Sequence, residues 1–150
     1  MENQLTYCVT AAWEGAGKGR VRAHEIDPAI CFSTPPEFGG DSGCWTSEHF
    51  LLAAVASCYM TTFHALAEMS ALEFLGIGLS VEGKLGLSDG NLRLTEIVLT
   101  PTLTITQSQD RELANRLLEK AQRGCRIAGS LVCPMHLEPL VQHAEELLAR

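Results

Sequence analysis

The sequence predicts an α+β fold in which antiparallel strands surround two helices. Three features carry that prediction. Stretches of period-2 alternation meet tight-turn signals, as hairpins do. One long apolar stretch opens with helix-capping residues. Residues 109–123 place their leucines at helical spacing. At this length about 70% of the unfolded surface can be buried, so a chain of 150 residues, 46% of them hydrophobic, can build a core and is not disordered. No repeat, low-complexity block or linker interrupts it, and residues 1–150 read as a single folding unit.

In chain order, residues 5–12 (LTYCVTAA) and 19–26 (GRVRAHEI) alternate partially about the glycine-rich EGAGKG, which predicts a hairpin. Residues 34–44 (TPPEFGGDSGC) hold two prolines and three glycines, so they form a loop and a candidate pocket wall. A helix over residues 47–69 follows, with Thr46 or Ser47 as N-cap, Glu48 in the first turn, and then Phe50, Leu51, Leu52, Ala53, Ala54 and Val55. A helix with no polar face must be covered on most sides, which puts it at the centre or in a subunit interface. Ile77, Leu79, Val81, Leu85 and Leu87 share one face of a strand, Asp89-Gly90 turns it, and residues 92–105 run back. The apolar phase changes between Leu94 and Ile97, which predicts a bulge or burial on both faces. In the second helix Leu113, Leu117, Leu118 and Ala121 form one side, with Gly124 at C′. Residues 131–141 alternate through Leu131, Cys133, Met135, Leu137 and Val141, giving a strand and then a short helical tail, although residues 139–148 also suit a helix.

Composition excludes several classes. With 11 Lys and Arg against 18 Asp and Glu, the net charge of −7 offers phosphate backbones no attraction, so no nucleic-acid partner is expected. The start, MENQLTYCVT, lacks the basic and apolar regions of a secretory signal, which predicts a cytoplasmic protein. The apolar stretch 50–67 holds Ser57, Thr61, Thr62 and His64 and lacks basic flanks, so it reads as a buried helix of a soluble protein and not as a membrane anchor. The six cysteines read as thiols of a reducing compartment. They lack a C-x-x-C pair and zinc-type spacing with the histidines, so no metal is expected.

Cys58 occupies the centre of the first helix, where Ala54, Val55, Thr61 and Thr62 leave room for a small ligand beside the sulfur. Apolar surroundings raise a thiol's pKa, and the helix N-terminus at Thr46 is turns away. A reactive Cys58 therefore requires a nearby cation, with Arg20, Arg22 and Arg126 as candidates. Cys125, in RGCRIAG, follows a helix end between Arg123 and Arg126. His64 is about 120° round the helix from Cys58 and reads as a core histidine with a backbone partner. Trp13, Trp45, Phe32, Phe38 and Phe50 read as packing groups, as do Met60 and Met69.

The run FGGDSGCWTSEHFLLAAVASCYMTTFHALA, followed by LEKAQRGCRIAGSL, resembles the OsmC/Ohr family, the osmotically inducible protein C and organic hydroperoxide resistance proteins. The resemblance spans residues 11 to about 140. Its most specific parts are Glu48, ten residues before Cys58 in an Ala-rich helix, and Cys125, 67 residues further on. The early AAWEGAGKGRV resembles the family's W-E-G…G-K-G hairpin.

The resemblance implies an intertwined homodimer with sites at the subunit interface, working as a thiol peroxidase on organic hydroperoxides without metal, flavin or other cofactor. Cys58 would be the peroxidatic nucleophile and Cys125 the resolving thiol, with Cys133-Pro134 as second choice for that role. A dithiol, of the lipoyl type in one branch, would be the reductant. Pro35 or Pro36 stands where the closer branch carries its activating arginine, so Arg20 or Arg22 on the early hairpin is the implied substitute. Ten helical residues rise about 15 Å and turn about 80°, so a Glu48 that serves Cys58 comes from a second copy. Glu48 otherwise complements the helix dipole. The alternative function is a non-catalytic OsmC-like module that binds a small ligand or senses redox state.

Overall fold

The computed structural model describes residues 4–149. The chain divides into two compact units, Met1–Phe50 and Leu51–Arg150.

In the first unit, strands β1 (Val9–Gly15), β2 (Lys18–Ala23) and β3 (Ile30–Ser33) form an antiparallel sheet in that order. The expected hairpin is present, with a tight turn at the middle of EGAGKG. Ala16 and Gly17, with φ of 52° and 77°, make a two-residue left-handed turn that matches strand twist. The proline- and glycine-rich segment is a loop containing one 3-10 turn, Pro36–Phe38. Gly40 is required there, because a Cβ would lie 1.6 Å from the Thr34 carbonyl oxygen. The loop returns to the sheet where Phe32 pairs in parallel with Trp45. Thr46 then caps helix α1 (Ser47–Met69). The His49 backbone N–H donates to Thr46 Oγ1 at 3.4 Å, and the Thr46 N–H donates to His49 Nδ1 at 3.0 Å. This is a capping box with histidine in the usual place of Glu or Gln.

In the second unit, β4 (Phe74–Ser88) and β5 (Asn91–Ile105) form the long hairpin across Asp89-Gly90. The phase change is a bulge: Lys84 pairs with Glu96 and Leu85 with Leu94, leaving Thr95 out of register. Helices α2 (Arg111–Gly124) and α3 (Arg126–Gly129) follow, then β6 (Met135–Leu137), β7 (Leu140–His143) and α4 (Ala144–Leu148). Both β6 and β7 run parallel to β5. The strand expected over 131–141 is thus split. Its register is nevertheless continuous, Leu99 with Leu137 and Leu103 with Val141, which sets Pro101 opposite Pro139. Ile97 N–H and the Leu99 carbonyl both bond toward β6, so the N–H that Pro101 lacks is the one this ladder would use.

The core joins one stripe of α1 (Val55, Tyr59, Phe63, Ala67) to the odd residues of β5 (Ile97, Leu99, Leu103, Ile105) and to α2 (Ala114, Leu117, Leu118, Ala121). Tyr59 Oη donates to the Leu118 carbonyl at 3.0 Å and ties α1 to α2. Phe63 meets Phe74 edge-on at 5.6 Å.

The expectations for His64, Met69 and Gly124 need correction. α1 is long and apolar enough to cross a membrane, yet its stripe packs as a core helix does, with only 28% of its most apolar window buried. Its buried stripe faces β5 and α2 in the core cluster. His64 and Met69 fall outside the stripe. Met69 is 83% exposed, and His64 faces outward 3.8 Å from Glu68. Gly124 is the last residue of α2 and not its left-handed cap; a Cβ there would stand 3.3 Å from the Thr62 methyl, so glycine permits close approach of α1.

Candidate functional site

Cys58 lies on the buried stripe of α1, and Cys125 ends α2 in an extended conformation that breaks the helix before α3 begins. The break follows from the sequence RGCRIAG: Cys125 N–H reaches the Gln122 carbonyl at 3.3 Å, and the Cys125 carbonyl accepts from Gly129 N–H at 3.0 Å. α3 therefore starts close to Cys58, where the Ile127 and Arg126 N–H groups favour the charged form of its sulfur. The close approach at Gly124 makes this possible.

The two thiols are adjacent and inequivalent. Burial opposes ionisation of Cys58. The Ile127 N–H, the Cys125 thiol, the Arg126 N–H and the Thr62 hydroxyl outweigh it and hold the thiol below its usual range. Burial pushes the Cys125 thiol up, against the Ala128 N–H, and the neighbouring Cys58 pushes it further. Both residues are buried, Cys58 at 9% exposure and Cys125 at 2%. The Cys125 Sγ leans toward the Val55 carbonyl at 3.9 Å. Thr62 Oγ1 donates to the Cys58 carbonyl at 2.7 Å while lying beside the sulfur.

Of the residues expected at the site, Cys58 and Cys125 are brought together. Arg20 and Glu48 belong to the first unit. The Arg20 Nε donates to Glu14 at 2.8 Å, and Arg22 to Asp27 at 2.5 Å. Glu48 accepts from the Ser47 hydroxyl at 3.2 Å. Its own backbone N–H keeps its carboxyl below the usual range against partial burial, helped by Thr46 and Ser47. Cys133 lines an open cleft of about 350 Å³ with Gln122, Arg123, Ala128, Gly129 and Met135.

The charge of Arg126 makes it a candidate in the sequence, whereas the group that acts on Cys58 is its peptide N–H. Ile127 acts through its backbone and carries no side-chain signal of that role. The signal was the glycine-cysteine break in RGCRIAG, which exposes the amides that follow it.

Residues 39–139 match the family model for OsmC-like proteins, a span containing both cysteines and both helices that carry them. The chain belongs to the OsmC-like family. This OsmC-like chain is 28% identical over 130 residues to the uncharacterized protein YmaD of Bacillus subtilis, covering 83% of this chain and 85% of YmaD. Its fold is similar to that of an OsmC-like protein of unknown function from Vibrio cholerae, with a TM-score of 0.82 at 19% identity, over 91% of this chain and 100% of that one. An organic hydroperoxide resistance protein from Elizabethkingia anophelis shares the fold at a TM-score of 0.75 and 18% identity, over 95% and 99% of the two chains.

Proposed function

We propose that this OsmC-like chain is a single-domain, cytoplasmic thiol peroxidase that reduces organic hydroperoxides. The observation that carries the reading is the meeting of two buried thiols, Cys58 on α1 and Cys125 at the end of α2, with Cys125 Sγ 3.9 Å from the Val55 carbonyl one turn before Cys58. The Cys58 thiolate attacks the outer oxygen of the hydroperoxide. The O–O bond breaks, the alkoxide leaves as alcohol after taking a proton, and Cys58 becomes a sulfenic acid. The Cys125 sulfur then attacks the Cys58 sulfur, its proton leaves with the hydroxyl as water, and a disulfide remains. An external dithiol, of the lipoyl type in one branch, returns the pair to thiols and is itself oxidised.

The inequivalence suits these roles. The attacking sulfur needs thiolate character near neutral pH, whereas the resolving thiol acts only when a sulfenic acid stands beside it. Backbone N–H groups supply what a cation was expected to supply, and Arg20 is proposed as a further activator within a homodimer. The half-covered side of α1 supports such a homodimer, and the partner subunit's Glu48 would orient the site. A non-catalytic, small-ligand-binding module is the second reading, favoured by the cleft beside Cys133, whose volume of about 350 Å³ suits a small molecule.

The test is intact mass after one equivalent of an organic hydroperoxide is added to the reduced protein, with peptide mapping and Cys58→Ser as control. Rapid loss of two hydrogens mapped to Cys58 and Cys125 is expected. No change over minutes would remove the peroxidase reading and leave the ligand-binding module.

A further inference from the structure

The first unit contains a second pair of thiols outside this chemistry. Cys31 lies in β3, and Cys44 lies at the far end of the loop that leaves it. Trp45 pairs in parallel with Phe32: its N–H donates to the Cys31 carbonyl at 3.1 Å, and its carbonyl accepts from the Ser33 N–H at 2.9 Å. In a parallel register the preceding residues of each partner are also opposite each other and share a face. Cys31 and Cys44 are those residues. Neighbouring strands lie about 4.8 Å apart, inside the roughly 4.4–6.8 Å between Cα atoms that a disulfide spans. The Cys44 thiol indeed engages Cys31.

The surroundings favour sulfur chemistry. Arg20 is the antiparallel partner of Cys31 on β2, and directly opposed residues share a face. The Lys18 ammonium, held by Asp41 at 2.7 Å, acts on both sulfurs. The neighbouring Cys31 and burial hold the Cys44 thiol above its usual range against the Lys18 ammonium, which suits Cys44 to the second, resolving attack. Both cysteines are half-exposed and reachable by small molecules.

We propose that Cys31 and Cys44 form a second, reversible thiol–disulfide site that accepts small-molecule disulfides and, once oxidised, clasps the loop of residues 34–43 to the sheet. Cys31 attacks a disulfide such as oxidised glutathione, forming a mixed disulfide and releasing one glutathione thiolate. Cys44 attacks the Cys31 sulfur, displaces the second glutathione thiolate and closes the protein disulfide. The two thiol protons pass to the two glutathione thiolates, so the protein dithiol is oxidised and one disulfide is reduced to two thiols. The site stands independently of Cys58 and Cys125.

The experiment equilibrates the full-length protein with oxidised and reduced glutathione over a range of ratios, quenches it, and cleaves after glutamate. Cleavage at Glu25, Glu37, Glu48 and Glu68 puts Cys31, Cys44 and Cys58 on three separate peptides. A disulfide joining peptides 26–37 and 38–48 is expected, with the glutathione adduct transient in wild type and accumulating at Cys31 in Cys44→Ser. Hydrogen exchange of the 39–43 amides should slow on oxidation, which is readable without any variant. Stable glutathione on both cysteines, joining of either to Cys58, or unmodified thiols at the most oxidising ratio would each overturn the proposal.

Discussion

Replacing Thr62 by valine tests how Cys58 is made acidic. The substitution keeps the branched shape and the methyl that faces Gly124, and it removes the one hydroxyl beside the sulfur. That hydroxyl has a single hydrogen, which in the thiol form donates to the Cys58 carbonyl at 2.7 Å. When the sulfur carries charge, the hydrogen gains more by turning to it. Hydrogen bonds to charged groups are worth about 1.5–3 kcal/mol net. Because the carbonyl competes for the hydrogen, the lower figure applies, about 1.5 kcal/mol, or roughly tenfold in thiolate population at fixed pH. Losing a donor to the charged form raises the thiol pKa. Peptide-mapped alkylation by iodoacetamide at pH 6 should therefore select Cys58 from the six cysteines in wild type and be about tenfold slower at Cys58 in Thr62→Val. Thr61→Val is the internal control: its hydroxyl donates to the Ser57 and Cys58 carbonyls at 3.0 and 3.1 Å, and its loss should leave the rate unchanged. Equal slowing in both variants, or none in Thr62→Val, would refute the reasoning, and uniform slow labelling of wild type would remove Cys58 as nucleophile.

Tyr59→Phe deletes the buried tie to the Leu118 carbonyl, which keeps its place in the α2 ladder, so a loss of about 1 kcal/mol in urea unfolding is expected; a neutral result would mean that the tie is not made. Gly40→Ala must push a methyl against the Thr34 carbonyl and should cost about 1–3 kcal/mol; an unchanged urea midpoint would show that the loop yields. Glu48 has a lowered folded pKa, so its stabilisation is present above the unfolded value of 4.5 and is lost as pH falls through the folded one. Glu48→Gln should accordingly be less stable than wild type at neutral pH, by about 0.3–1 kcal/mol, with the gap closing on acidification. Sedimentation at micromolar concentration should give a species of twice 16.3 kDa, and a monomer would remove the partner subunit's Glu48 from the site.

Much of this was legible in sequence because it is written in local chemistry. The bounds of α1 follow from Thr46, Ser47 and Glu48 at one end and the fading of apolar residues at the other. The bulge at Thr95 follows from a phase change that period-2 pairing cannot absorb. Residues whose surroundings arise from distant segments were misread. Gly124 has the composition of a cap, but its role is set by Thr62, 62 positions earlier. His64 sits in an apolar run, and only the orientation of the stripe puts it outside. The amides of Arg126 and Ile127 carry no side-chain signature at all, and their action on Cys58 depends on how α2 ends. Pro139 signalled a helix start in sequence, whereas Pro101 facing it makes it a strand break.

The facing prolines also bear on what the second sheet can attract. A strand at the margin of a sheet presents a row of unsatisfied donors and acceptors on which a foreign chain can be laid down. Along β6 and β7 the even residues bond inward to β5, so the odd ones point their amides outward, and Pro139 removes the donor midway along that row. The margin is left as two short stubs, Met135–Leu137 and Leu140–His143, neither long enough to template an added strand. The same pair of residues that interrupts the ladder thereby protects the sheet against edge-to-edge aggregation.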